Sequence, residues 1–188
     1  AGTLCGSVKD LDHFIDFYGT KAPTNIAAIF ENGKVVKLPY GDLDMQKIKQ
    51  HEDGTFASAL SNDGKVVVGY CKCSNFAYSY PCKWTRGANN EWKLEQLPLP
   101  DTYKYGLAIN VSSDGRTIVG LAMEGGRAIA CYWIDGKCYT VNCKSEDDER
   151  AKMKQMRMID MRPNGKYFIF SLSSRSDYRL FDVEKGTY

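Results

Sequence analysis

Histidine, a net excess of charge and long hydrophobic runs are all scarce in this sequence of 188 residues. It has only two histidines, His13 and His51, and no His-x-x-x-His or paired Cys-x-x-Cys spacing, so we expect no dedicated metal site. It has no nucleophile elbow, phosphate-binding loop or dinucleotide-binding glycine motif. We therefore expect neither catalytic residues nor a bound cofactor within these residues.

The charge balance and the hydropathy exclude two further classes of partner. A net charge of +2, from 25 basic and 23 acidic side chains, is too small for a surface that neutralises several phosphates, so we expect no nucleic acid partner. No uncharged apolar run approaches the roughly 20 residues of a membrane span. The N-terminus has no initiator methionine and no charged-then-apolar leader, so we interpret the start as a cut end.

An internal repeat is the most informative feature that is present. Residues 56–69 match residues 107–120 almost position for position, and residues 159–170 form a weaker third copy. Each copy contains an Asp-Gly or Asn-Gly turn followed by a basic residue and an apolar run. The turn glycines are 51 and 50 residues apart, at Gly64, Gly115 and Gly165.

Each repeat continues with a second apolar run that ends in an aromatic residue. Hairpin signals follow, such as Asn32-Gly33 and Asp135-Gly136, and lead into one more strand. Four short strands per unit at this spacing predict the blades of an all-β propeller, with the aromatic residues between neighbouring blades. The aromatic residues are Phe30, Trp84, Trp133 and Phe181. The predicted units span residues 1–42, 55–100, 106–142 and 156–188 of a single propeller segment.

The repeat motif resembles a known family. The motif is a small residue followed by Ser-x-Asp-Gly-Lys/Arg and then by Val-Val-Gly, as in residues 57–69. It resembles the HAF family of bacterial extracellular repeats. Residues 162–170, Arg-Pro-Asn-Gly-Lys-Tyr-Phe-Ile-Phe, resemble the strand turn of TolB-like propellers. The resemblance covers residues 3–181 and implies a propeller of the bacterial envelope or exterior. It implies no catalytic residues, because the family is defined by its repeats.

The first and last units are incomplete. Leu4-Cys5-Gly6 lines up with Val67-Val68-Gly69, so the first unit lacks its innermost strand, and the last unit stops before its outermost strand. The sequence thus predicts about three and a half blades, fewer than the usual minimum of four for closure. We expect these blades to be part of a larger propeller; the alternative is a small ring in which the two ends share one blade.

The connections differ between the two faces of such a ring. The first-to-second and third-to-fourth turns share one face, the turn face, and are short. The other connections share the opposite face, the loop face; they are residues 9–25, 40–54, 72–76, 101–106, 124–127 and 142–155. Because binding residues concentrate on loops, we expect the loop face to recognise a protein or glycan. The candidate ligand-binding residues are His13, Phe14, Phe17, Tyr18, Tyr103 and Tyr105. Alternatively, the aromatic residues of the first insertion only anchor that loop to its blade.

Seven cysteines form the least usual part of the composition, and an odd number leaves at least one unpaired. Cys71 and Cys82 lie on the two arms of one hairpin, about opposite each other if the turn is centred on residues 75–76, and are a candidate disulfide. A three-thiolate metal site with Cys73, or free half-buried thiols, are the alternatives. Cys131 and Cys138 are expected to be diagonal neighbours across a hairpin.

These observations favour a non-catalytic propeller module that binds a protein or glycan in the envelope, periplasm or exterior of a bacterium, with the remaining blades of a longer chain as further partners. The main alternative is a propeller domain of a hydrolase or lyase with its catalytic residues outside this segment. On the innermost strands, charge is confined to the third copy, at Arg157, Asp160 and Arg162, which argues against catalysis here. A structural spacer within a larger surface protein is the third alternative.

Overall fold

The computed structural model describes residues 3–10, 24–39, 54–73, 75–141, 156–172 and 178–188. These residues form β-strands and turns, and none of them forms a helix long and apolar enough to cross a membrane. The all-β fold predicted from the repeat is confirmed. The strands are β1 (Leu4–Asp10), β2 (Thr24–Glu31), β3 (Lys34–Lys37), β4 (Gly54–Leu60), β5 (Val66–Cys73), β6 (Asn75–Arg86), β7 (Trp92–Gln96), β8 (Tyr105–Val111), β9 (Thr117–Glu124), β10 (Arg127–Ile134), β11 (Lys137–Thr140), β12 (Met156–Met161), β13 (Tyr167–Leu172) and β14 (Tyr178–Asp182).

Antiparallel pairing groups the strands into four consecutive blades. Blade 1 contains β1–β3, blade 2 contains β4–β7, blade 3 contains β8–β11 and blade 4 contains β12–β14. Blades 2 and 3 are four-stranded meanders, whereas the described residues supply three strands to each end blade. A single parallel pairing of Asn25 with Gly54 joins blade 1 to blade 2. The extents of the units include residues outside the described ranges and stay predictions.

The first-to-second turn of blade 2 is closed by its own side chains. The hydroxyl of Ser61 donates to Oδ1 of Asp63 at 2.6 Å and accepts a hydrogen bond from the amide of Val66 at 3.0 Å. Gly64 takes the left-handed backbone that the turn requires, with φ 69°. Residues 112–117 of blade 3 repeat these bonds one for one. The matching sequences therefore reflect a matching set of contacts.

The same turn in blade 4 explains why the third copy is weaker in sequence. Asn164 holds the aspartate position, and its Oδ1 still accepts a hydrogen bond from the amide of Lys166 at 3.0 Å. An amide oxygen accepts such a bond as a carboxylate does. The backbone turn closes from Gly165 to Arg162 at 2.9 Å without the serine hydroxyl. Asn164 thus preserves the turn although the motif is altered.

Hydrogen bonds join the turns of blades 2, 3 and 4 to one another. The amide of Asn62 donates a hydrogen bond to the carbonyl oxygen of Ser113 at 3.1 Å. The amide of Ser113 in turn donates to the carbonyl oxygen of Pro163 at 2.7 Å. The turns also pack closely, since a Cβ at Gly115 would lie 2.6 Å from Cγ2 of Val66. The first-to-second turns of blades 3 and 4 therefore pack against the preceding blade.

Three hydrophobic clusters lie between consecutive blades. Each cluster combines side chains from the two blades that it joins, so no blade has a closed core of its own. The members include Ile29 with Val67 and Trp84, then Val68 with Ile118 and Trp133, then Val119 with Phe168 and Phe181.

Two tryptophans tie their blades to the preceding blade by hydrogen bonds. Trp84 Nε1 donates to the carbonyl oxygen of Pro39 at 2.9 Å, and Trp133 Nε1 donates to that of Pro98 at 2.6 Å. Phe181 has the same place in blade 4 but no N–H group to donate. The predicted position between blades is confirmed for these three aromatic residues, whereas Phe30 of blade 1 is 46% exposed and packs in none of the three clusters.

In blades 2 and 3, the backbone of the innermost strand approaches a glycine of the second strand closely. A register shift interrupts β4 and β8 at the same repeat position. A Cβ at Gly69 would overlap the carbonyl oxygen of Phe56, and a Cβ at Gly120 would overlap that of Leu107. The close backbone approach therefore requires glycine at both positions.

Two of the connections predicted to be long are short. β5 ends at Cys73 and β6 begins at Asn75, and these two residues pair with each other. In blade 3, only Gly125 and Gly126 separate β9 from β10. The prediction was wrong here because the strands continue through residues that their polar composition assigned to loops. Among the described residues, the long connection of the loop face is the one between β7 and β8.

Candidate recognition surface

The predicted ligand-binding residues divide into two groups. His13, Phe14, Phe17 and Tyr18 lie outside the described residues. Tyr103 lies on the connection between β7 and β8, and Tyr105 is the first residue of β8. The described part of the candidate surface is thus the end of blades 2 and 3 where this connection runs.

Backbone and side-chain hydrogen bonds fix this connection along its length. The amide of Leu97 donates to the carbonyl oxygen of Pro81 at 2.9 Å, and Trp133 holds Pro98 as described above. The amide of Tyr103 donates to the carbonyl oxygen of Pro100 at 2.8 Å and closes a turn. A connection held at three points presents its side chains in one arrangement, which lowers the entropy cost of binding a ligand.

Tyr103 is an anchor as well as a surface residue. Its half-buried ring packs against the hydrophobic cluster between blades 2 and 3. Burial raises the pKa of its hydroxyl, the nearby Cys131 thiol adds to the rise, and Arg127 opposes it. The ring therefore fixes the loop and leaves its polar end near a cationic side chain.

Tyr105 has a tyrosine neighbour from the other blade. Its ring centroid lies 5.7 Å from that of Tyr80, at an interplanar angle of 63°. This edge-to-face geometry is favourable for aromatic rings. The sequence did not single out Tyr80, because residues 72–76 were assigned to a loop and Tyr80 was placed within the hairpin arm. The alternation of tyrosine with small residues at Tyr78 and Tyr80 was the available signal.

An ion pair lies beside the two rings. Lys104 Nζ lies 3.6 Å from Oε1 of Glu124, at the end of β9. The second carboxylate oxygen of Glu124 is shielded from solvent and accepts no hydrogen bond from the residues that the structure describes. A donor from outside the chain reaches this oxygen only if the carboxylate rotates, although the side chain of Glu124 as a whole is 37% exposed. We call Tyr80, Tyr103, Lys104, Tyr105 and Glu124 the tyrosine patch.

The chemistry of the tyrosine patch suits recognition of a ligand. Tyrosine rings stack on the apolar faces of sugars or on side chains, and a carboxylate oxygen accepts from hydroxyl or amide donors. Within the described ranges, no group of three or more histidine, cysteine, aspartate or glutamate side chains is placed to hold a metal ion.

The candidate disulfide residues are close but not directly opposite. Cys71 pairs with Tyr80 and Cys82 with Gly69, so the two cysteines are diagonal neighbours about opposite each other on the hairpin. Both cysteines are buried and are not joined by a disulfide; their sulfur atoms lie 3.3 Å apart and share a hydrogen bond. Disulfide formation between them stays a prediction.

A second thiol pair lies in blade 3. Cys131 is opposite Thr140 and Cys138 is opposite Trp133, so the predicted diagonal placement is confirmed. Burial, and then its hydrogen bond with Cys138, raises the pKa of Cys131 well above the usual range. The same hydrogen bond lowers the pKa of Cys138, which is only half-buried. Cys138 is therefore the more readily ionised thiol of this pair.

The charged residues in and directly after β12, the innermost strand of blade 4, are exposed to solvent. Arg157, Asp160 and Arg162 are all exposed. Asp160 Oδ1 accepts a hydrogen bond from Nδ2 of Asn110 in blade 3 at 3.0 Å. This contact joins two neighbouring inner strands, and it engages the carboxylate that the enzyme alternative would use.

Comparison with known proteins gives structural likeness without sequence likeness. No protein-family model and no curated protein sequence matches this chain. The likeness to HAF repeats therefore rests on the motif alone.

Solved propeller structures do match. A TolB-like protein from Agrobacterium tumefaciens superposes with a TM-score of 0.56 at 11% identity, over 98% of this chain and 59% of that chain. TolB from Acinetobacter baumannii gives 0.53 at 13% identity, over 98% of this chain and 42% of that one. The β-propeller domain of the trilobed protease from Pyrococcus furiosus gives 0.53 at 14% identity, over 95% and 46%.

The chain spans about half the length of these structures. The superpositions establish a shared fold. At identities this low, they carry no information on activity or partners. The blade meanders, the clusters between blades and these superpositions agree with one another. The described residues of this chain adopt a β-propeller fold.

Proposed function

We propose that this chain is a non-catalytic propeller module that binds a glycan or protein partner through its loop face, in the envelope or exterior of a bacterium. The observation that carries the proposal is the tyrosine patch, in which two half-exposed tyrosine rings and the partly exposed carboxylate of Glu124 lie beside a fixed connection. On the turn face, by contrast, Ser61, Asp63 and their counterparts in blade 3 already bond to their own turns.

The patch favours a glycan as the first ligand to test. A sugar offers an apolar face to a tyrosine ring and hydroxyl donors to the exposed part of the Glu124 carboxylate, whereas a purely apolar protein surface would offer this carboxylate no donor. The labelled chain should be screened on an oligosaccharide array, and the strongest binder titrated by calorimetry.

Matched variants identify the surface. Tyr105→Ala should weaken glycan binding by about tenfold or more, as expected for a central aromatic contact. The control is Tyr139→Ala, because Tyr139 is an exposed tyrosine outside the patch whose ring, like that of Tyr105, contacts another tyrosine, Tyr132 at 5.2 Å. Glu124→Gln should weaken binding without changing stability. Equal effects of the two tyrosine variants would contradict a role for the tyrosine patch.

A protein partner is tested by photocross-linking. A photoreactive residue in place of Tyr105 should capture a discrete partner from a bacterial envelope fraction, and one in place of Lys65 on the turn face should not. Capture at both positions, or at Lys65 alone, would contradict recognition by the loop face.

The likeness to a protease propeller favours one alternative, a domain that admits substrate to catalytic residues elsewhere in a longer protein. Substrate passing along the inner strands would contact Arg157 and Asp160. Binding of a peptide substrate would then be sensitive to Arg157→Ala and Asp160→Asn and insensitive to Tyr105→Ala. A structural spacer would show no ligand-dependent stabilisation at all.

A further inference from the structure

The outer side of blade 1 carries an exposed apolar row. Leu4 lies opposite Phe30, and Phe30 lies opposite Val35, so the three side chains align across β1, β2 and β3. They are 67%, 46% and 55% exposed. Large apolar side chains that are aligned and exposed in this way mark an interaction surface.

The repeat shows what covers this row in the next blade. The corresponding row in blade 2 is Val67, Trp84 and Leu94, which are opposite one another in the same register. All three are buried in the cluster between blades 1 and 2. The row on blade 1 is therefore the side on which a preceding blade packs, and we call it the leading face.

Blade 4 exposes the complementary side. Ile169 and Leu180 lie opposite each other and are 37% and 55% exposed. The corresponding pair in blade 3 is Val119 and Tyr132, which are buried against blade 4. Ile169 and Leu180 thus occupy the side that packs on a following blade, and we call it the trailing face.

We propose that the leading face of blade 1 binds the trailing face of blade 4 of a second copy of this chain. The contact continues an interface that the chain already forms three times, always between one leading and one trailing row. One molecule presents each row once, and neither row is covered by the residues that the structure describes.

The proposed contact is head to tail and not symmetric. A head-to-tail contact builds a closed ring if the rotation between copies closes, and an open filament if it does not. The purified 188-residue chain should therefore form dimers or larger assemblies in sedimentation velocity as its concentration rises. A chain that stays monomeric at every concentration overturns the proposal.

Single charges on each face provide the decisive test. Val35→Asp disrupts the leading face and Leu180→Asp the trailing face, and each should weaken self-association by at least about a hundredfold, because a carboxylate would be buried in an apolar contact. The control is Val36→Asp, one residue away and on the opposite side of β3, where Val36 pairs with Ile29. Circular dichroism establishes that all three variants are folded.

Mixing the two disrupted variants distinguishes the geometry. Each retains one intact face, so an equimolar mixture should form a discrete heterodimer that neither variant forms alone. Failure of the mixture to associate overturns the proposal, and so does loss of association in Val36→Asp of the same size as in Val35→Asp. None of these residues belongs to the tyrosine patch, so this test and the glycan test fail independently.

Discussion

The glycines of the second strands offer a prediction with a built-in control. Gly120 and Gly6 occupy the same repeat position in blades 3 and 1. A Cβ at Gly120 would overlap the carbonyl oxygen of Leu107 and lie 3.1 Å from Cα of Ala108, whereas a Cβ at Gly6 would meet nothing within 4 Å. Alanine should therefore be harmful at Gly120 and tolerated at Gly6.

The expected magnitude follows from what must move. Overpacking a closed contact costs roughly 1–3 kcal/mol. Leu107 and Ala108 belong to β8, and backbone atoms cannot rotate away as a side chain can, so β8 must lift from β9. Each ladder hydrogen bond lost adds about 1 kcal/mol. We expect Gly120→Ala to lower the free energy of unfolding by about 3–5 kcal/mol, out of a total of about 5–15 kcal/mol for a typical domain.

Urea denaturation followed by tryptophan fluorescence measures this difference. Gly6→Ala should leave the free energy of unfolding unchanged or raise it by about 0.5 kcal/mol, since alanine restricts the unfolded chain. The reasoning is refuted if Gly120→Ala unfolds within about 1 kcal/mol of the natural chain, or if the two variants are equally destabilised.

Three further predictions concern the core, the turns and the thiols. Trp133→Phe should lower the free energy of unfolding by about 2–3 kcal/mol, because it removes the hydrogen bond to Pro98 and leaves a cavity at a fully buried side chain; a loss below about 1 kcal/mol in denaturation would contradict this. The Ser112 hydroxyl lowers the pKa of Asp114, so this carboxylate stabilises the fold above its unfolded pKa and ceases to do so as the pH falls through the folded value. Asp114→Asn should accordingly flatten the acid limb of a pH titration of stability, and an unchanged limb would count against the assignment. Mass spectrometry of the alkylated protein from its native source should find Cys71 and Cys82 linked if the compartment is oxidising, and finding all thiols free would exclude the proposed exterior location.

The repeat made the fold predictable, because the bonds that define each turn are local. Ser61 and Asp63 close their turn by hydrogen bonds within a few residues, so the same residue types recur wherever the same turn forms. The aromatic positions were predictable for a related reason: a wide space between blades must be filled at each repeat. Trp84 and Trp133 fill it, and Phe181 does so in blade 4.

The details of the candidate site depended on contacts that no local pattern records. The register of Cys71 and Cys82 depends on where β5 and β6 stop, and pairing across the sheet extended both strands through polar residues. Tyr80 meets Tyr105 only because two blades pack together, and 25 residues separate them in sequence. Interactions between blades determine such positions, so the sequence of one blade did not reveal them.

The hydrogen bonds between turns supply a separate reporter for each contact between blades. The amide of Ser113 is held by Pro163 of blade 4, and the amide of Asn62 is held by Ser113 of blade 3. Such a proton exchanges with solvent only when the two blades separate. Deuterium uptake at these two amides therefore measures how often each contact opens, and unequal protection factors would show that one pair of blades separates more often than the other.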